Sequence, residues 1–148
     1  MAVQFRRATP DDLEALIGLL NLLFSLEVDF EPNPAKQRSG LKLMLEDAAE
    51  RCVMVAEESG AVIGMCTAQL LVSTAEGGMV ALIEDMVVQA GYRGRGIGKR
   101  LLASIESWAL AKGAKRLELL ADRNNHPALE FYDRLDWKQT QLICLHKK

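Results

Sequence analysis

Between Met79 and Gly113 a strand-like run passes through a glycine-rich, cationic corner into an amphipathic helix, and no other stretch restricts the fold as tightly. Met79 to Val88 is almost continuously apolar and rich in β-branched residues, the pattern of a strand covered on both faces. Ile97, Leu101, Leu102, Ile105, Trp108 and Ala109 then return at helical spacing, and Gly113 stands where a helix C-cap belongs. Between strand and helix lies Arg93-Gly94-Arg95-Gly96-Ile97-Gly98-Lys99. Without Cβ atoms at 94, 96 and 98, main-chain N–H groups can converge on an anion, and the helix start behind them adds roughly half a positive charge.

Arg-Gly repeats also occur in disordered RNA-binding segments, but those sit in low-complexity sequence and this one is bounded by core-grade apolar residues. A Walker loop would need glycine at 93 and Ser or Thr at 100, and both positions hold arginine. A dinucleotide fingerprint would need its third glycine at 99, which is Lys99. Arg93, Arg95, Lys99 and Arg100 crowd a helix start whose dipole opposes them, so a bound anion would relieve a local cost.

The chain is long enough for one substantial core and too short for two ordinary domains: 148 residues, read as a single domain over 1–148. A net charge of −2 leaves no basic surplus for general nucleic-acid binding. No apolar run reaches the roughly 20 residues of a membrane span, and the first residues lack a signal-peptide core, so a cytoplasmic location is expected. Cys52, Cys66 and Cys144 stand singly in apolar segments, and His126 and His146 are far apart. No metal site is indicated, and each cysteine reads as a small buried hydrophobe.

The remaining pattern predicts a first strand over Val3–Ala8, then a helix capped by Thr9 with Pro10 at its first position and Leu13, Leu16, Ile17, Leu20 and Phe24 on its face. Asn33 and Pro34 begin a second helix presenting Leu41, Met44, Leu45 and Ala48. Cys52–Glu57 and Ala61–Ala68 form a hairpin around Glu58-Ser59-Gly60. After the central strand and its helix come a strand over Arg116–Leu120, a helix opened by Asn125 and Pro127, and a last strand over Gln139–Leu145. An antiparallel half followed by strand-helix-strand-helix-strand is an α/β chain with a mixed, mainly antiparallel central sheet flanked by helices.

Two motifs carry a family resemblance. Arg93, Gly96 and Gly98 fit the pattern Arg or Gln, two residues, Gly, one residue, Gly or Ala. Some thirty residues on, Asn125, Ala128, Phe131, Tyr132, Leu135 and Trp137 fit a second, with Asp136 where glycine is usual. In both, and in its element order, the chain resembles the Gcn5-related N-acetyltransferases (GNAT), most strongly from Leu82 to Trp137. The resemblance implies the acyl-CoA N-acyltransferase fold and acetyl-CoA as cosubstrate, with no metal. It places the diphosphate on Arg93, Gly94, Arg95, Gly96, Ile97, Gly98 and Lys99, the pantetheine arm beside Met86 and Val88, and a cofactor or helix-ordering role on Asn125.

Acetyl transfer to an amine needs a base, because an amine with a pKa of about 10.4 is protonated near neutrality. Glu84, through water, is the candidate, and strand alternation puts it on one face with Met86 and Val88. A backbone N–H at Met86 is the candidate donor to the developing oxyanion, and Tyr132 the candidate acid for the departing thiolate. Glu27, Asp29 and Glu31 around Phe30, with Glu84 and Asp85, suggest a small cationic amine as acceptor, and the Glu84-Asp85 pair resembles the same strand of polyamine-type acetyltransferases. A protein lysine or N-terminal acetyltransferase and a non-catalytic acyl-CoA-binding regulatory module are the alternatives. The resemblance also allows a homodimer, which no residue of this sequence decides.

Overall fold

A computed structural model describes residues 2–27 and 31–148. Asp29 and Phe30, on which part of the acceptor reading rests, lie outside the described residues. Two compact units make up the chain, Met1–Glu118 and Leu119–Lys148.

In the first unit a five-stranded sheet runs in the order β1 (Gln4–Arg7), β2 (Arg51–Glu58), β3 (Ala61–Ser73), β4 (Gly78–Val88), β5 (Leu117–Leu119). The first four strands pair antiparallel with their sequence neighbours. β4 and β5 are joined by a helical crossover, the connection that parallel neighbours require, so the sheet is mixed, as its sequence pattern predicts. Helices α1 (Leu13–Leu26) and α2 (Pro34–Glu46) share one cluster with Val53, Val55, Met65 and Val87. Helix α3 (Ile97–Ala111) packs on β2, β3 and β4 and buries Ile97, Leu101, Leu102, Ile105 and Ala109 of the stripe read from its spacing, with Trp108 half-buried. Gly64 of β3 makes room for this helix: a Cβ there would meet Leu101 Cδ1 at 3.0 Å and the Val87 carbonyl at 3.2 Å.

Local chemistry moves several boundaries. Thr9 opens a short 3-10 turn (Pro10–Asp12) before α1, because the Asp12 carboxylate accepts the Thr9 N–H at 2.8 Å. Helix α2 stops at Glu46, where Asp47 Oδ1 takes the N–H groups of Ala49 and Glu50, so Ala48 falls in a turn and off the helix face.

The second unit holds α4 (His126–Arg134), the helix expected after Asn125. The strand expected over Gln139–Leu145 does not form. Leu142, Ile143 and Leu145 are 86%, 70% and 84% exposed, and Cys144, expected to be buried, is exposed. Apolar residues supply strand propensity but no ladder partner, and the Thr140 hydroxyl takes the Leu142 N–H locally instead. Cys52 and Cys66 are buried as expected. No helix among the described residues is long and apolar enough to cross a membrane.

Candidate active site

The chemistry-bearing stretch of the first unit begins where β4 departs from a regular strand. Its register against β3 runs Thr67↔Glu84 and then Met65↔Val87, so Asp85 and Met86 together stand opposite Cys66 alone. This is a β-bulge, and Asp85 absorbs it in the left-handed region at φ 52°. Aspartate tolerates that conformation better than most side chains, which suits it to this place in an otherwise apolar strand. The extra residue also breaks the alternation expected to align Glu84, Met86 and Val88. Glu84 is exposed, and Met86 and Val88 are half-buried.

Asp85 carries the most perturbed carboxylate of this stretch. Burial, with the charge of the adjacent Glu84 adding to it, pushes its pKa up from 3.8 to about 6, and the hydrogen bond from Thr67 Oγ1 to Asp85 Oδ2 at 3.1 Å holds it back. On β3, Cys66 Sγ lies 3.8 Å from the Glu84 carbonyl oxygen, and burial drives that thiol well above its ordinary value. Cys66 is therefore a thiol donor held inside the sheet, not a nucleophile.

Beyond Val88 the chain makes a 3-10 turn over Ala90–Tyr92 and enters the glycine corner. Arg93 folds back and gives its Nε–H to the Val88 carbonyl at 3.0 Å, tying the corner to the end of β4. Gly94 and Gly96 take φ values of 78° and 75°, and Gly96 is the N-cap of α3 with no side chain bonded into the helix start. A Cβ at either glycine would meet nothing within 4 Å, so the space beside this backbone is open. An uncapped helix N-terminus with open space at two left-handed glycines fits a diphosphate.

The cations of the corner are less concentrated than their spacing suggests. Arg95 pairs with Glu58 at 2.9 Å and lies 5.5 Å from the Tyr92 ring, and Arg100 sits 4.3 Å from the Phe5 ring. Arg93, as above, serves the backbone. Among the described residues only Arg95 of these is neutralised by an ion pair, so the positive character left at the helix start comes from main-chain N–H groups, the exposed Lys99, and the charges of Arg93 and Arg100, whose guanidinium groups are tied to a carbonyl and a ring.

The second unit organises its own motif. Asn125 Oδ1 accepts the Ala128 N–H at 3.2 Å, so the asparagine is a helix cap, with Pro127 in the first turn. The half-buried Tyr132 stacks edge-on with Phe131 (5.2 Å) and Trp137 (6.1 Å), and its carbonyl accepts the N–H groups of Leu135 and Trp137. Asp136 sits at φ 69°, the left-handed turn that the motif normally gives to glycine. Glu84, Met86, Val88 and Arg93–Lys99 thus follow one another along a single strand-to-helix passage, and Asn125 and Tyr132 belong to the second unit. Sequence reasoning missed Thr67 and the bulge at Asp85. The available signal was an aspartate inside an apolar strand.

A profile of the Acetyltransferase (GNAT) family matches residues 16–137. The chain belongs to this family, and acyl transfer is its class of reaction. An uncharacterized N-acetyltransferase of Methanocaldococcus jannaschii is 29% identical over 144 residues, covering 93% of this chain and 62% of the relative, so the chain spans under two thirds of that protein. The aminoalkylphosphonate N-acetyltransferase of Salmonella typhimurium is 28% identical over 93% of this chain and 86% of its own length. Among solved structures, an acetyltransferase from Agrobacterium tumefaciens superposes with a TM-score of 0.83 at 23% identity, covering 98% of this chain and 99% of that one. The aminoglycoside acetyltransferase AAC(6')-Iy, solved with a CoA bisubstrate analogue, gives 0.83 at 20% identity over 100% and 99% of the two chains.

Proposed function

We propose that residues 1–148 act as one N-acetyltransferase domain that moves an acetyl group from acetyl-CoA to the primary amine of a small cationic molecule. The observation that carries this reading is the open, uncapped glycine corner at the start of α3. Relatives named for aminoalkylphosphonate and aminoglycoside acetylation support a small amine as acceptor.

Acetyl-CoA, when bound, supplies an activated acyl carbon and a thiolate leaving group. The backbone of Gly94 to Gly98 and the Lys99 side chain would hold its diphosphate, with Arg93 keeping the corner against β4. The main chain of Met86 and Val88 would meet the pantetheine arm. Glu84, exposed on β4, accepts through water the proton that the ammonium must lose before it attacks. The Met86 N–H would be the donor to the acyl oxygen, and the Tyr132 hydroxyl would be the acid for the thiolate side.

Calorimetry with CoA on the native chain and on Gly96→Val tests the reading. The branched side chain fills the open space and strains a backbone at φ 75°, so affinity is expected to fall at least about thirtyfold. Unchanged affinity would remove the corner from the cofactor site. Thiol release from acetyl-CoA against spermidine, 2-aminoethylphosphonate, an aminoglycoside and a lysine peptide then identifies the acceptor class. Turnover with the peptide alone would replace the small amine by a protein substrate.

A further inference from the structure

The β4 bulge is held from the neighbouring strand by two side chains. Thr67 and Cys66 are consecutive on β3, so their side chains leave opposite faces of the sheet. Thr67 gives its hydroxyl to the Asp85 carboxylate at 3.1 Å, and Cys66 aims its thiol at the Glu84 carbonyl at 3.8 Å. Both donors are buried, at 3% and 0% exposure, and Asp85 is half-buried. Between them the two donors hold Asp85, the first residue of the bulge, through its side chain, and Glu84, the last paired residue before it, through its main chain.

A bulge left to itself is a soft place: its extra residue is unpaired in the ladder, and a slip of one position would turn Glu84 to the other face. The buried Ile83 and Val87 anchor the strand on either side of the bulge, but Glu84 itself is exposed and gains no direction from packing. We propose that Thr67 and Cys66 are positioning residues for acyl transfer, clamping the Asp85–Met86 bulge and the Glu84 that precedes it from β3, so that the Glu84 carboxylate and the Met86 N–H keep a fixed direction. The inference rests on Glu84 being the base proposed above. It also accounts for the residue choice at the bulge, an aspartate able both to adopt φ 52° and to accept from Thr67.

Thr67→Val keeps the shape and removes the hydroxyl, and Thr67→Ser returns it. In Thr67→Val, hydrogen exchange at the Met86 and Val87 amides is expected to quicken at least about tenfold relative to the β2–β3 ladder. With acetyl-CoA and spermidine or 2-aminoethylphosphonate, kcat is expected to drop about tenfold, with the KM for acetyl-CoA within about twofold and Thr67→Ser near the native rate. Native exchange in a folded Thr67→Val overturns the clamp whether or not an acceptor is known. Native kcat in that variant overturns it as well, and so does a serine variant as slow as the valine. Glu84→Gln separates the two levels: impaired Glu84→Gln beside a native-like Thr67→Val refutes the clamp alone, and a fully active Glu84→Gln refutes the base. Should Thr67→Val fail to fold, Asp85→Asn takes its place, since it weakens the same bond yet tolerates the left-handed backbone. Unchanged bulge exchange there overturns the proposal.

Discussion

At the β1–α1 junction Arg6 gives its two terminal nitrogens to Asp12 at 2.8 and 3.0 Å and its Nε to Glu57 at 2.8 Å, whereas on β4 neither Glu84 nor Asp85 has an ion-pair partner among the described residues. The consequence is visible in two aspartates of the same fold. Hydrogen bonding to the Arg6 guanidinium, helped by the Thr9 N–H, holds the Asp12 carboxyl below its ordinary value against the pull of burial. Burial and the neighbouring Glu84 push Asp85 up to about 6, with only the Thr67 hydroxyl opposing them. One region neutralises its charges and so ties a strand to a helix start. The other leaves like charges side by side on the strand that leads into the open backbone corner, a cost that stability alone would not select and that a reaction can use.

If that contrast is right, single substitutions in the two regions should fail in opposite ways. Glu84→Gln on β4 should lower kcat about a hundredfold near neutrality, and urea unfolding should report native stability because Glu84 is exposed and unpaired. The deficit should narrow as pH rises and free amine becomes abundant. A pH-independent deficit would make Glu84 structural and erase the difference between the regions. Asp12→Asn should do the reverse. It removes the charge from a carboxyl that is 9% exposed and bidentate to Arg6, but Arg6 is 34% exposed and keeps Glu57, so the discounted loss is about 1–2 kcal/mol by urea midpoint. Its kcat per folded molecule should stay within about twofold of native. An activity loss as deep as that of Glu84→Gln would show the junction to be coupled to the chemistry.

The parts of this molecule that were legible in its sequence are those written by local chemistry. The α3 stripe, the Asn125 cap, the left-handed Asp136 and the antiparallel β2–β3 hairpin each follow from a residue and its near neighbours. What periodicity could not supply was the partner. Leu142, Ile143 and Leu145 have strand propensity and no ladder, and Arg95 and Arg100 look like phosphate ligands until Glu58 and Phe5, distant in sequence, are seen beside them. The bulge belongs to the same class. An even count along Leu82 to Val88 predicts alternation, and the slip exists only in the register against β3, where Cys66 faces two residues.

The smallest effect distinguishes the two aspartates most directly, because their contributions to stability run in opposite directions with pH. Asp85 binds its proton more tightly in the folded chain, with a pKa of about 6 against 3.8, so between those values the native state carries more protons than the unfolded one. Stability from this group must therefore fall as pH rises from about 4 to 6, and its full penalty is present above that window. Asp12 has the lowered value, so its contribution is complete above 3.8 and is lost only as pH falls below that. Glu106 on α3 is raised by burial and adds to the Asp85 trend. Urea midpoints at pH 4.5 and pH 7 should show Asp85→Asn gaining on the native chain as pH rises, since an amide cannot acquire the buried charge. Asp12→Asn should keep the same deficit at both values, because Asp12 stays ionised across the window. An equal pH slope in Asp85→Asn and native protein would mean that water reaches the Asp85 carboxylate. The bulge would then be as well compensated as the β1–α1 junction.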